Sequence, residues 1–529
     1  MIAVKLDKIL LCEYIAATFE MNNRLPYSIL NPEEAAELIP DGAMVAFSGF
    51  TPAGAAKAVP RALAGKARTF HEAGVPYKLR VLTGASTGSS IDDALAAAEA
   101  ISWRAPFQSS RLLREQINAG KVAFVDMHLS HLPQSVLFGF FGKIDFAVIE
   151  ASEITADGRV YLTTSIGASP TFLQTADKVI IEINRRQAPR VSEMADIIIP
   201  KPPPHRLSLD LDHPLERIGK TYAHVDPNRV VGIVETDEPD ETAELSSASE
   251  TCRAIAKHVV KFLTNELASG RMPYEFLPLQ SGVGNVANAV LEGIGESADI
   301  PNFVMYSEVL QPAGFEMIAA GRCRGASTCG LVLTPGQMKR LESDINFFAR
   351  RLVLRPQEIS NNPAIVRQLG IVSMNTALEI DVFGHVNSTH LCGQKMVNGI
   401  GGSGDFARNA YLSIFMCPSI AKDGAISTIV PMCTHVDHNE HSVQIVVTEQ
   451  GLADLRGLAP QERAATIIDR CAHPAYRDYL RRYLDESGPG HIRHDLNRCF
   501  ELHQNLLNFG SMLPDHFPAQ QKIQTRAIA

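Results

Sequence analysis

Short apolar runs that alternate with Ala-rich helical stretches constrain the fold of this chain more than any other feature. Residues 78–82, 122–125, 145–149 and 178–183 read as strands, and residues 53–64 and 92–100 read as helices. Strands separated by helix-length segments do not pair as hairpins. They cross over and align in a mostly parallel sheet with helices on its faces, so the predicted class is α/β. The pattern breaks at Pro200-Lys-Pro-Pro-Pro-His205, where proline excludes both a helix interior and a central strand. Together with the acidic stretch 235–244 this marks an irregular, exposed region. Beyond it the pattern resumes with a helix at 249–269 and strands at 277–279, 303–306, 371–374, 427–430 and 443–447.

The two stretches echo each other. Ala147-Val-Ile-Glu150, Asp157-Gly-Arg-Val160, Thr163-Thr-Ser165 and Gly167-Ala-Ser-Pro-Thr-Phe172 parallel Ala377-Leu-Glu-Ile-Asp381, Gly384-His-Val386, Asn387-Ser-Thr389 and Gly401-Gly-Ser-Gly-Asp-Phe406. Each series reads as a strand, a tight Gly turn, a polar Ser/Thr strand and a Gly-Ser loop entering a helix, the mark of an internal duplication. A length of 529 residues suggests about three domains or two large halves. With 45% hydrophobic and 20% charged residues the chain can bury a large core.

Forty-nine Lys and Arg against 58 Asp and Glu leave a net charge of −9, which provides no basic field for nucleic acid or an anionic membrane. A small-molecule or protein partner is expected instead. Lys5, Asp7, Lys8 and Glu13 interrupt the first 17 residues, and neither a secretory core nor an Arg-rich presequence is recognisable there. Residues 1–31 therefore read as an extension. No apolar run reaches the roughly 18 residues of a membrane span, so a soluble protein is expected. Nine cysteines without a CxxC pair point to a reducing, cytoplasmic compartment and to no zinc ribbon.

Four places could carry chemistry. Gln280-Ser-Gly-Val-Gly-Asn-Val286 lies between an apolar run and the helical 287–293, and its amides could hold a phosphate or an oxyanion. A Gly pair alone is more often a tight turn, and the third glycine of a dinucleotide fingerprint is missing. Phe303-Val-Met-Tyr-Ser-Glu308 is an apolar strand ending in a carboxylate, with Pro312 suited to open a helix at 313–320. Glu308 then sits at the carboxyl edge of a parallel sheet, where ligands bind, although an isolated Glu is commonly an exposed turn residue. Asn398-Gly-Ile-Gly-Gly-Ser-Gly-Asp405 precedes a helix expected at 406–412, with Ser403 or Asp405 as its N-cap and the amides of Gly401 and Gly402 free to donate. His435-Val-Asp-His-Asn-Glu-His441 offers three histidines, but on a strand His438 faces away from the other two. It reads as a polar loop before the strand that ends in Glu449, and no metal is expected.

Taken together, Gln280-Ser-Gly-Val-Gly-Asn285, Tyr306-Ser-Glu-Val-Leu-Gln311, Ser360-Asn-Asn-Pro363, Asn398-Gly-Ile-Gly-Gly-Ser-Gly-Asp-Phe406 and Thr448-Glu-Gln-Gly-Leu-Ala-Asp-Leu-Arg-Gly457 resemble the acetyl-CoA hydrolase/transferase family of class I coenzyme A transferases. The resemblance runs from about residue 38 to 512. Phe47-Ser-Gly-Phe-Thr-Pro-Ala-Gly54, Leu354-Arg-Pro-Gln-Glu-Ile-Ser360 and Gly490-His-Ile-Arg-His-Asp495 look most like its bacterial propionyl-CoA:succinate branch.

The resemblance implies two NagB/RpiA-like CoA-transferase domains, each a mostly parallel sheet flanked by helices. They are expected at 32–230 and 231–515, with the catalytic glutamate in the second and a tail at 516–529. It implies CoA transfer from propionyl-CoA or acetyl-CoA to a carboxylate such as succinate or acetate, by ping-pong kinetics through a glutamyl-CoA thioester on Glu308. Acetyl-CoA hydrolysis and a non-catalytic CoA-binding protein are the alternatives. Val283 and Gly402 would supply oxyanion amides, with Asn361 and Glu449 in support. Ser281, Gly282, Val283, Gly284, Asn285, Asn398, Gly402 and Lys422 would contact CoA, which is a substrate; no permanently bound cofactor is implied. A homodimer is expected. Pro312-Ala-Gly-Phe315 and a basic turn at 321–327 depart from the family pattern and bear on the acyl-donor preference.

Overall fold

A computed structural model describes residues 25–188, 190–242 and 248–516. Its first sheet contains β1 (Met44–Phe47), β2 (Leu79–Leu82), β3 (Ile101–Ala105), β4 (Ala123–Phe124), β5 (Phe146–Ala151), β6 (Lys178–Asn184) and β7 (Val230–Thr236). Its second contains β8 (Leu279–Ser281), β9 (Phe303–Tyr306), β10 (Cys323–Thr328), β11 (Leu352–Leu354), β12 (Val372–Thr376), β13 (Leu412–Met416), β14 (Ile445–Thr448) and β15 (Gly451–Asp454). The orders are β7-β6-β5-β1-β2-β3-β4 and β11-β10-β9-β8-β12-β13-β14-β15. All pairs are parallel except β14 with the edge strand β15. Strands such as β1, β5 and β13 are buried along their whole length, as expected for strands covered by helices on both faces.

Without β15 the two orders are identical: the first strand of each half is central, the next three extend to one side and the last three to the other. The halves are therefore repeats in topology. The correspondence is shifted from the one read in the sequence. The strand that corresponds to β5 is β12, and Glu379–Asp381 with Val386–Asn387 forms a small antiparallel pair outside the sheet, as do Glu153–Ile154 and Arg159–Tyr161. The turn glycines Gly158 and Gly384 both have positive φ, 82° and 96°.

Several expectations are corrected. Residues 25–31 belong to the first half: the Leu30 amide donates to the Ile233 carbonyl at 2.8 Å, Tyr27 donates to Thr155 O at 3.0 Å, and Asn31 caps the helix Pro32–Glu37. The rest of the expected extension, and the tail from residue 517, lie outside the described residues. A boundary at 230/231 cuts β7, so the first sheet runs on to Thr236. In place of the strand expected at 427–430 stand two two-residue strands, Ile426–Ser427 and Ile429–Val430, in separate small sheets, because the strand beside β12 is β13. The helix expected at 406–412 is Ser403–Ala407, and residue 412 begins β13. The helix at 249–269 is observed as Glu250–Ala268, with the Ser249 side chain accepting from Cys252 N.

A buried ion pair joins the halves. Arg355, at the end of β11, is fully buried and pairs with Asp196, while its Nε donates to Ser327 Oγ at 2.8 Å. Removing one member of such a pair strands a charge out of water. Arg355→Ala should cost about 3–5 kcal/mol, read by denaturant unfolding as a lower midpoint, and an unchanged midpoint would refute the assignment.

Candidate active site

The strand order of the second sheet switches sides at β8, with β9 on one side and β12 on the other. Beyond the carboxyl ends of these strands opens a cleft lined by Ser281, Gly282, Val283, Glu308, Asn398 and Gly402, among others. The two loops singled out in the sequence, which are more than a hundred residues apart, thus meet with the strand-end glutamate between them. Phe107, from the first half, also lines the cleft.

Glu308 lies just past β9, separated from it by Ser307. Gln311 is the N-cap of the helix Pro312–Ala319, with Pro312 at its first position. The Glu308 carbonyl accepts from Cys329 N and Thr328 Oγ1, both at 2.9 Å, which fixes its backbone. Its partly buried carboxylate accepts from Asn361 Nδ2 at 2.8 Å and from the Gly402 amide. Burial pushes its pKa up to about 7. The nearby Asp405 carboxyl adds to the rise, and the Asn361 and Gly402 donors oppose it. Asn361 has a fixed orientation because its Oδ1 accepts from Ser360 Oγ at 2.8 Å, which turns the NH2 toward Glu308. Asn361→Ala therefore removes a bond that favours the ionised carboxylate. The acid limb of kcat/KM should move to higher pH and the rate at neutral pH should fall about tenfold or more; an unmoved limb would count against this role.

The amide-rich turn is clamped by a residue that the sequence did not single out for a role. Gln311 donates through Nε2 to the Gly282 carbonyl and accepts from the Gly284 amide at 3.4 Å. The Gly282 amide is committed to Met374 O at 2.8 Å, so the described bonds leave the Val283 amide available. Gly284, with φ of 114°, sits where a side chain would be strained and caps the helix Asn285–Glu296. Asn398 Oδ1 is buried with no hydrogen-bond partner, an acceptor available to a ligand in the cleft.

The second loop is held from across the molecule. Ile400 N donates to both Asp126 oxygens at 2.9 and 3.1 Å, and Leu129 N donates to Gly401 O at 3.3 Å. Gly402, not Ser403 or Asp405, is the N-cap of the helix Ser403–Ala407. The Ser403 hydroxyl turns back to Ile400 O at 2.7 Å, and Asp405 accepts from Ser130. A Cβ on Gly402 would lie 1.7 Å from Glu308 Oε2 and 2.2 Å from Asn361 Nδ2, so the close approach requires glycine. Phe107, Asp126 and Ser130 carry no sequence motif. Only the fold brings them here.

Other expected residues lie apart. Glu449 does not line the cleft; it accepts from Ser419 N at 2.8 Å and from the Ser419 hydroxyl. Lys422 is exposed in the turn Lys422–Gly424 and is also absent from the lining. The three histidines diverge: His438 is buried against Ser403 Oγ at 3.2 Å, His435 pairs with Asp437 and His441 with Glu440. Among the described residues no group of three or more His, Cys, Asp or Glu could hold a metal ion. Most of the segment read as a basic turn at 321–327 is strand, β10 (Cys323–Thr328), and Arg322 caps the carbonyl end of the neighbouring helix through Ile294, Gly295 and Ser297.

A family model of the acetyl-CoA hydrolase/transferase N-terminal domain matches residues 18–235, and one of the C-terminal domain matches 338–484. The chain is 56% identical to a propanoyl-CoA:succinate CoA transferase of Escherichia coli K12, over 92% of this chain and 98% of that one. It is 45% identical to a succinyl-CoA:acetate CoA-transferase of Clostridium kluyveri, over 93% and 91%. An acetyl-CoA hydrolase of Schizosaccharomyces pombe is 42% identical, over 92% and 96%. Among solved structures, RipA from Yersinia pestis has a TM-score of 0.65 at 24% identity, and a 4-hydroxybutyrate CoA-transferase of Porphyromonas gingivalis has 0.58 at 19%. Each covers 86% of this chain, and 96% of its own length is matched. These two likenesses bear on the fold alone.

Proposed function

Since this chain belongs to the acetyl-CoA hydrolase/transferase family, we propose that it moves CoA from propionyl-CoA or acetyl-CoA to a carboxylate such as succinate or acetate, with Glu308 as the covalent carrier. The observation that carries this reading is the Glu308 carboxylate, held at the cleft by the Asn361 amide and the Gly402 N–H. The carboxylate attacks the acyl carbonyl and expels CoA thiolate, leaving a mixed anhydride. The thiolate then attacks the glutamyl carbonyl, releases the first carboxylate product and leaves a glutamyl-CoA thioester. An incoming carboxylate reverses these steps, so thioester energy passes to the new acyl-CoA.

Each tetrahedral intermediate places negative charge on an oxygen beside Glu308, where the Val283 and Gly402 amides are the candidate donors. Ser281, Gly282, Val283 and Asn398 are the candidate CoA contacts within the cleft, and Gly284 and Asn285 follow at the start of the adjoining helix. Lys422 and Glu449, which lie apart, belong to the proposal only as peripheral groups. Attack requires the ionised carboxylate, so kcat/KM should rise with pH through about 7, where Glu308 titrates. A homodimer in a reducing, cytoplasmic compartment belongs to the same proposal; the eight described cysteines, all free, support the compartment.

Hydrolysis is the second reading, favoured by the 42% identity to a fungal acetyl-CoA hydrolase. Thiol release from propionyl-CoA, measured with and without succinate, separates the two. A transferase forms succinyl-CoA and releases little free thiol. Steady thiol release that succinate does not suppress would favour hydrolysis.

A further inference from the structure

Glu308 has a buried carboxyl neighbour that the reaction sketched above does not use. Asp405, 3% exposed, stands in the first turn of the short helix that starts beside Gly402. Ser130 of the first half holds both its oxygens, donating through Oγ to Oδ1 at 2.6 Å and through its backbone N–H to Oδ2 at 3.1 Å. The Asn361 side chain, which donates to Glu308 at 2.8 Å, also bonds to Asp405. One amide group therefore lies between two carboxyls, and no cation is bonded to either among the described contacts.

The remaining groups around the pair do not supply a compensating charge. The Cys329 thiol, hydrogen-bonded to Ser360 Oγ at 2.6 Å, is held well above its usual range by burial. His128, whose ring lies against Gly404, is lowered by burial, and His438, bonded to Ser403, is pushed down to about 4 by burial. The Tyr306 phenol is raised by burial and donates to Ile359 O. His131 and Arg408 are exposed. Burial likewise pushes Asp405 up to about 7, against the opposing Ser130 and Asn361 bonds, and the Asp405 carboxyl in turn raises that of Glu308.

We propose that Asp405 is a positioning residue that keeps one negative charge on the pair throughout the cycle, holding a proton while Glu308 attacks and releasing it once Glu308 is a thioester. This rests on the Glu308 carrier reading. The charge balance is direct. The Glu308 carboxylate becomes a neutral thioester and its charge departs on the product carboxylate. With the repulsion gone, the Asp405 O–H bond breaks, the proton passes to bulk water, and the Asp405 carboxylate is left on the Asn361 amide and Ser130.

The test is proton counting in the first half-reaction. Protein is mixed with propionyl-CoA, without acceptor, in weak buffer containing an indicator dye across a pH series. Protons released are divided by glutamyl-CoA formed, measured by intact mass. A lone carboxyl releases a proton only at pH values below its own titration, whereas the coupled pair extends release to higher pH. In Asp405→Asn the pH of half-release should fall by about one unit. In Ser130→Ala, which keeps the carboxyl but loses a donor that favours its ionised form, it should rise. The same half-release pH in all three proteins would overturn the proposal. If Asp405→Asn does not fold, Ser130→Ala decides alone, and an unmoved value overturns it. Absence of any adduct on the wild-type protein would instead overturn the carrier reading.

Discussion

Glu308→Gln should lower kcat for CoA transfer by about 10⁴-fold or more while leaving the fold and CoA binding in place. Glutamine preserves the side chain's size and can still accept from Asn361 Nδ2, now 2.8 Å from Oε2. What it loses is the anionic oxygen that attacks the thioester. Among the described residues no other carboxylate lines the cleft, so none of them can take over. Steady-state formation of succinyl-CoA from propionyl-CoA and succinate measures the loss. A variant that retains more than about a tenth of the rate would exclude Glu308 as the carrier.

The second large effect concerns space rather than charge. In Gly402→Ala the new methyl would lie 1.7 Å from Glu308 Oε2 and 2.2 Å from Asn361 Nδ2, far inside contact distance. The loop has little room to yield, because Ile400 N is tied to Asp126 and Gly401 O accepts from Leu129 N. The carboxylate and the oxyanion amide must therefore move apart. A misplaced donor of this kind costs about 10²–10³ in kcat. The expected result is a loss of that size; because Gly402 is buried, part of the clash should also appear as a lower unfolding midpoint. A near wild-type rate would mean that the Gly402 amide plays no part.

How much of this was legible in the sequence depended on polarity. Strands buried on both faces announced themselves as apolar runs, as β5, β6 and β9 did. β10, Cys323-Arg-Gly-Ala-Ser-Thr328, is polar in composition and was read as a turn. Arg104 interrupts β3, yet it is fully buried because Asp92 pairs with it at 3.0 Å and it donates to Ala85 O. Buried ion pairs of this type cannot be recognised until both partners are placed. In the site, Glu308 could be read as a strand-end carboxylate because Pro312 fixed where the next helix begins. Asn361 entered only through family resemblance. Asp126, Ser130 and Phe107 gave no local signal, since their roles come from the docking of one half on the other.

The acidic balance of the chain also takes on a local meaning. A protein of net charge −9 that handles an anionic cofactor and a carboxylate must rely on oriented donors. The described lining of the cleft contains Gly-loop amides, Asn375 and Asn398 but no lysine or arginine. Salt should therefore weaken binding at the reacting end of the cleft only slightly.

The most direct measurement is intact-mass analysis of the wild-type protein after incubation with propionyl-CoA alone, followed by peptide mapping. The account predicts a gain equal to CoA less one water, carried by the peptide that contains Glu308 and discharged when succinate is added. No covalent CoA, or an adduct on any other residue, would contradict it.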